Sequence, residues 1–235
     1  MRKIFVIVGL LATLNVSADE PYTTFNQPAA YKYPDAYIAF DSGYYRAAMA
    51  PEYKLLFKSN MLAFNFSVGY YFNNYFSSEV SFSWTDNLRK AFTTTTGVQF
   101  LGITPTQNNT HYGEFRISNV NFDFQYHIFR YSFFRPFIGG GFGWTKERIN
   151  FLHQDPTDPL SKQLDSITTG NRSKLFFRPS IGFDLDLPNN FGVRFLYRYD
   201  IISKVSATSN IPALPNKPLN GGNFFSLGLV YSFYS

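Results

Sequence analysis

Residues 225–233 alternate strictly. Phe225, Leu227, Leu229, Tyr231 and Phe233 share one face, while Ser226, Gly228 and Ser232 fall on the other. A strand repeats every two residues, so this segment carries one uniformly large apolar face and one face of small and polar groups. Upstream segments repeat the pattern. A soluble sandwich would bury the aromatics of both sheets in one narrow core, and the large rows here are too uniform for that. Lipid outside and a polar interior need this alternation. A backbone in hydrocarbon must also satisfy every hydrogen bond internally, so the sheet has to close. Aromatics at 20% and charged residues at 16% suit that arrangement and not a soluble enzyme. Mean hydropathy of -0.17 looks soluble only because the two faces cancel.

The other end sets the compartment. Arg2 and Lys3 precede an apolar run from Ile4 to Leu14, and Val16-Ser17-Ala18 supplies a small-residue cleavage pattern. The run is too short to span a bilayer, which takes about 20 residues, so residues 1–18 are read as a signal peptide cleaved near Ala18. Residues 19–34, with Pro21, Pro28 and Pro34, form a periplasmic lead-in, and 35–235 the barrel domain. The chain has no cysteine, hence neither a disulfide nor a thiol for lipid attachment. Basic residues are scattered among acidic ones, without the stripe that nucleic acid requires.

Eight strands are predicted, at about 36–45, 62–72, 76–84, 120–128, 136–144, 175–187, 191–200 and 225–233, with external loops at 47–59, 85–113, 146–173 and 203–222. The even count puts both termini in the periplasm. Asn74 and Asn189 centre tight hairpins. Phe115 and Ile117 are out of parity with Val120 and Phe122, which predicts a bulge near Ser118-Asn119. Gly139, Gly141 and Gly143 face inward and leave space for neighbouring side chains.

The inward charges are the candidate site: Glu79, Asp123, Arg178, Asp184, Asp186, Arg194, Arg198 and Asp200, with His127 beside Asp123. With Asn189 at the hairpin centre, Asp184 opposes Arg194, Arg178 opposes Asp200, Arg198 faces Ser180, and Asp186 lies in diagonal reach of Arg194. An arginine on the lipid face would cost about 2–4 kcal/mol at mid-depth, so the inward parity itself argues for a barrel. Paired charges in a lumen that side chains fill form a salt-bridge plug holding the strands in register; a conducting constriction is the alternative.

Catalytic and metal chemistry find little support. The only histidines are His111, His127 and His153, and no His-Glu-x-x-His pattern occurs. His127 lacks an aligned nucleophilic serine and reads as a hydrogen-bonded lumen residue. No catalytic residue, metal site or cofactor is expected. Asp155-Pro156 and Asp158-Pro159 read as turns.

Tyr37-Ile-Ala-Phe-Asp-Ser-Gly43, Arg135-Pro-Phe-Ile-Gly-Gly-Gly-Phe-Gly143 and Phe225 to Phe233 together resemble the small outer-membrane β-barrel family of OmpA-like and OmpX-like domains. Phe57-Lys-Ser-Asn-Met-Leu62 leading into Ser67-Val-Gly-Tyr70 also resembles the surface-antigen barrels of intracellular alphaproteobacteria. The resemblance implies an all-β, eight-stranded antiparallel up-and-down transmembrane β-barrel in the bacterial outer membrane. It implies contact with outer-membrane lipid and lipopolysaccharide, and reading of the last strand (Phe225, Leu227, Leu229, Tyr231, Phe233) by the barrel-insertion machinery. Family members normally end on their aromatic, whereas Tyr234 and Ser235 follow Phe233 here. The expected protein is a non-enzymatic monomeric surface barrel, an adhesin, antigen or envelope-stabilising protein. Its four loops are free to take a host-cell or envelope ligand. A narrow porin-like channel for small solutes is the second reading.

Overall fold

Alternating apolar and small residues make extended segments, and asparagines at their ends reverse the chain. The computed structural model describes residues 35–73, 75–94, 109–128, 133–154, 164–203 and 219–233. The signal and lead-in, both Asp-Pro pairs and the last two residues lie outside the described residues. The elements are β1 (Ala36–Met49), α1 (Pro51–Leu56), β2 (Asn60–Tyr71), β3 (Phe76–Thr85), β4 (Leu88–Thr94), β5 (Asn109–His127), β6 (Phe134–Gln154), β7 (Leu164–Asp186), β8 (Phe191–Ile202) and β9 (Leu219–Phe233).

Neighbouring strands pair antiparallel, and β1 pairs with both β2 and β9, which closes the wall. β4 pairs only with β5 and continues the line of β3: Trp84 opposes Ser118, and Leu88 then opposes Phe115. The wall therefore has the eight strands expected. Walking around it from Asp41 through Asn65, Ser83 and Asn119 reaches Thr145 on β6. The opposite walk through Gly228, Arg194 and Asp184 reaches Arg135, a stagger of 145 − 135 = 10 residues. Strands in a closed barrel tilt to accommodate such a stagger.

Both hairpin registers are as the pattern requires. Tyr70 faces Ser78, Val68 faces Val80 and Phe66 faces Phe82; Asp184 faces Arg194 and Ser180 faces Arg198. Asn73 Oδ1 accepts from the backbone N–H groups of Tyr75 (2.8 Å) and Phe76 (3.0 Å). Asn189 and Asn190 have φ of 64° and 68°. Asparagine visits that left-handed region more readily than other residues with a side chain.

The expected bulge at Ser118-Asn119 is absent. β5 and β6 stay in one register from His111↔His153 to His127↔Phe137. The register slip is across from it, between β3 and β4, where the Thr85 hydroxyl takes the Ile117 N–H (2.9 Å) in place of a ladder carbonyl. Phe115 and Ile117 keep the parity of Asn119 and Asp123 and are buried inside. Their apolar character, expected to mean lipid, means an apolar interior.

The loops are also shorter than expected. β1 and α1 occupy most of 47–59; β4 and the start of β5 lie in 85–113; β6 and β7 run through most of 146–173; β9 begins inside 203–222. Polar outer faces and inner rows that no longer need to be polar disguise these extensions, because they project beyond the hydrocarbon.

Candidate functional site

The interior has two layers. In the half toward the short turns, four arginines meet six carboxylates, all buried or nearly so. Glu79 sits at the centre. Its carboxylate takes Arg194 Nη1 at 2.6 Å and Arg198 Nη2 at 2.5 Å, and accepts from the Tyr37 hydroxyl at 2.8 Å and Gln125 Nε2 at 3.3 Å. One side chain thus ties β3 to β1, β5 and β8. Arg194 also contacts Asp184 through Nε (2.8 Å) and Nη2 (3.3 Å) and lies over the Tyr37 ring. Arg178 makes a two-pronged contact to Asp200 (2.5 and 3.0 Å) and donates to Asn121 Oδ1 (2.8 Å). Asp123 lies 3.7 Å from Arg198 and accepts from Asn121 Nδ2 at 2.5 Å.

The structure therefore brings together Glu79, Asp123, Arg178, Asp184, Arg194, Arg198 and Asp200. Asp186, expected within diagonal reach of Arg194, pairs with Arg135 at 2.5 Å. Arg135, one residue before the expected strand 136–144, is the second residue of β6, faces Asp184 across the ladder and is buried. Asp41 is the other residue missed. It is fully buried, accepts from Asn65 Nδ2 (2.8 Å) and leans over Gly228, where a Cβ would come within 2.1 Å of its carboxylate. Gly141 makes room for Asp123 in the same way, as the inward glycine row predicted.

His127 is buried and shares a hydrogen bond of 3.0 Å with Ser77 Oγ, between the rings of Tyr71 and Phe137. A histidine beside a serine suggests a nucleophile, but the Nδ1 of His127 has no partner among the described residues. Among the described residues no group on Nδ1 orients the ring as a base, which nucleophilic pairs need. No group of three or more potential metal ligands is present among the described residues.

Toward the longer extensions the interior turns apolar. Phe115, Ile117, Ile149, Phe151, Phe176 and Phe224 pack there with Met61 and Tyr45. Glu147 and Lys174, paired at 3.2 Å, and the buried Arg172 opposite Glu147 interrupt this layer. α1 closes it. Pro51 opens the helix without needing a hydrogen-bond donor. Tyr53 and Phe57 turn inward, and Phe57 meets Phe115 and Phe151 with ring centroids 5.8 and 5.4 Å apart. The helix lies against Gly113, where a Cβ would come within 2.3 Å of the Leu56 carbonyl. Lys90 Nζ donates to the Lys54 carbonyl, which ties α1 to β4. The motif reading assigned this segment to an external loop because six residues are too few for a visible helical period.

Outside, Phe225, Leu227, Leu229 and Phe233 are exposed, and Tyr231 is partly so, as are the matching rows on the other strands. No helix among the described residues is long and apolar enough to cross a membrane. A closed eight-stranded wall with an apolar exterior and a charged interior is a bacterial outer-membrane β-barrel. This chain belongs to the outer membrane protein beta-barrel domain family, whose model matches residues 23–233. Among solved structures it is similar to Neisserial surface protein A (14% identity, 85% of this chain and 97% of that one, TM-score 0.53). It is also similar to the attachment invasion locus protein Ail of Yersinia pestis (19%, 86% and 99%, 0.50). The outer membrane protein OprG of Pseudomonas aeruginosa is a third (12%, 87% and 98%, 0.51). At these identities the likeness is one of fold. No curated protein matches the chain in sequence.

Proposed function

We propose that this protein is a non-enzymatic surface barrel with a sealed lumen, a rigid stalk that presents its strand extensions and the segments joining them to ligands outside the cell. The observation that carries this reading is the double seal. A network of paired charges fills one half of the interior, and an apolar plug capped by α1 fills the other. A pore would be expected to line its narrowest part with groups that replace an ion's water, and rings of phenylalanine do the opposite. β9 is the segment we assign to recognition by the insertion machinery, since its lipid-facing row is unbroken from Phe225 to Phe233. The surface role accords with relatives of the same fold that are named for surface location and attachment.

One observation favours the second reading, a narrow channel. Asp41 Oδ1, Ser67 Oγ, Ser180 Oγ and Ser226 Oγ are buried without a partner among the described residues, and such groups normally hold water. The test is to replace residues 95–108, 155–163 and 204–218 by short Gly-Ser linkers and measure adherence of displaying bacteria to host cells and extracellular matrix. Loss of adherence with an intact heat-modifiable barrel is the expected result. Unchanged adherence together with single-channel conductance in the unaltered protein would overturn the proposal.

A further inference from the structure

Two of the three histidines, far apart in sequence, come side by side above the membrane. His111 on β5 and His153 on β6 are direct cross-strand partners, and Asp165 on β7 is the direct partner of His153 on its other side. Direct partners share a face of the sheet, with Cβ atoms roughly 4.5–5.5 Å apart. His111 has the parity of the buried Phe115 and Ile117, so the row His111, His153, Asp165 lies on the inner face. No spacing motif joins the three in the sequence. Register, not a described side-chain contact, places His153 and Asp165 in the row.

A β-bulge completes the row. Phe151 opposes Thr168, but the next residue, Leu152, opposes Ser166, so Ile167 is extra on β7. Without it His153 would oppose Ser166 and Asp165 would fall on the outer face, because a slip of one residue moves a strand's residues to the other face. Bulges of this kind recur beside functional sites, where they re-aim a residue. Phe92, the partner of His111 on β4, stacks on its ring with centroids 5.6 Å apart, and Phe92 meets Phe151 edge-on at 6.2 Å. The row therefore stands on the apolar layer. It lies 120 − 111 = 9 residues of β5 beyond Val120, in the last exposed apolar row, which is about 30 Å of strand.

We propose that His111, His153 and Asp165 bind one divalent transition-metal ion of the zinc class and so staple β5, β6 and β7 together near their outer ends. Two imidazoles and a carboxylate are a donor set that suits such ions. Metal–nitrogen bonds of about 2.0–2.1 Å put two imidazole nitrogens on one ion about 3 Å apart, a separation that directly opposed residues can meet. Three protein ligands leave a position for water or for a donor group of a partner. The aromatic shell of Phe92 and Phe151 limits solvent on one side of the ion. The site lies above the charged layer and does not depend on the lumen being sealed.

The experiment uses the full chain without an affinity tag, refolded into phosphatidylcholine vesicles. Zinc is titrated in, unbound metal is removed by gel filtration, and metal per barrel is counted by elemental analysis. The proteins compared are the wild type, His153→Gln, Asp165→Asn and His127→Gln. Wild type and His127→Gln should each retain one zinc. Zinc affinity should fall about tenfold or more in His153→Gln and in Asp165→Asn, since loss of even an outer-shell partner costs about 10–100-fold. Zinc should also raise the urea midpoint of the wild type and leave that of His153→Gln unmoved, because a ligand stabilises only the state that binds it. X-ray absorption of the zinc-loaded wild type, which needs no variant, should show two imidazoles at about 2.0–2.1 Å.

No zinc on the folded wild type, or wild-type affinity in either His153→Gln or Asp165→Asn, would overturn the site. A loss in His127→Gln as large as that in His153→Gln would move the metal into the lumen and overturn it as well. Fewer than two imidazoles in the absorption spectrum would do the same, even if every variant failed to fold.

Discussion

Neutralising Glu79 is the sharpest probe of the interior. Glu79→Gln keeps the shape and leaves Arg194 and Arg198 facing an amide where a carboxylate lay 2.6 and 2.5 Å away. Charge centres about 4 Å apart attract by about 4 kcal/mol at an effective dielectric near 20 and about 1 kcal/mol in water. Two cations on one carboxylate in a dry lumen therefore give about 8 kcal/mol of gross attraction, from which burying the carboxylate removes several. Breaking such a buried cluster costs about 3–5 kcal/mol. If the lumen were instead open to water and salt, the same substitution would cost about 0–1 kcal/mol. The assay is reversible urea unfolding of the refolded barrel in vesicles, followed by tryptophan fluorescence, at low and high salt. A loss above about 3 kcal/mol that salt does not change is expected. A loss below about 1 kcal/mol that shrinks further in salt would refute the sealed, dry lumen.

Other outcomes follow from the same contacts. A double-mutant cycle on Asp184→Asn and Arg194→Gln should show a coupling above about 1 kcal/mol, and additivity would sink the pairing. Arg135→Gln should destabilise the barrel by about 3 kcal/mol or more by breaking the contact of the buried guanidinium with Asp186, measured by the same unfolding assay. Gly113→Ala should cost about 1–3 kcal/mol and expose α1 to protease, because its Cβ would press on the Leu56 carbonyl; unchanged protection would remove α1 from its assigned place.

What the sequence revealed follows from what period two encodes. Where one face meets lipid, alternation is unambiguous: β2, β3, β8 and β9 and both asparagine-centred hairpins were legible, and with them the Asp184–Arg194 and Arg178–Asp200 pairs. Cross-strand partners on one hairpin follow from its centre alone. Contacts between distant strands do not, which is why Glu79 was visible as an inward acid but not as the hub joining Arg194 to Arg198. The Asp186–Arg135 pair was hidden because Arg135 precedes a proline at the very start of its strand. Phe115 and Ile117 misled for a different reason. An apolar row means lipid only while the interior is polar, and here the upper interior is an apolar core. Above the bilayer the outer face becomes polar, so the contrast that marks a strand inverts, and β4, the start of β5 and most of the β6–β7 extension were read as loop.

The central claim is that the barrel is closed along its axis, and single-channel recording in a planar bilayer tests it most directly. The wild type, shown to be folded by its heat-modifiable mobility, should be silent, and Tyr53→Ala/Phe57→Ala should stay silent because the charged layer still closes the lumen. Stable steps in the wild type that shift with Arg198→Ala alone would contradict the account and make the charged lumen a working pore.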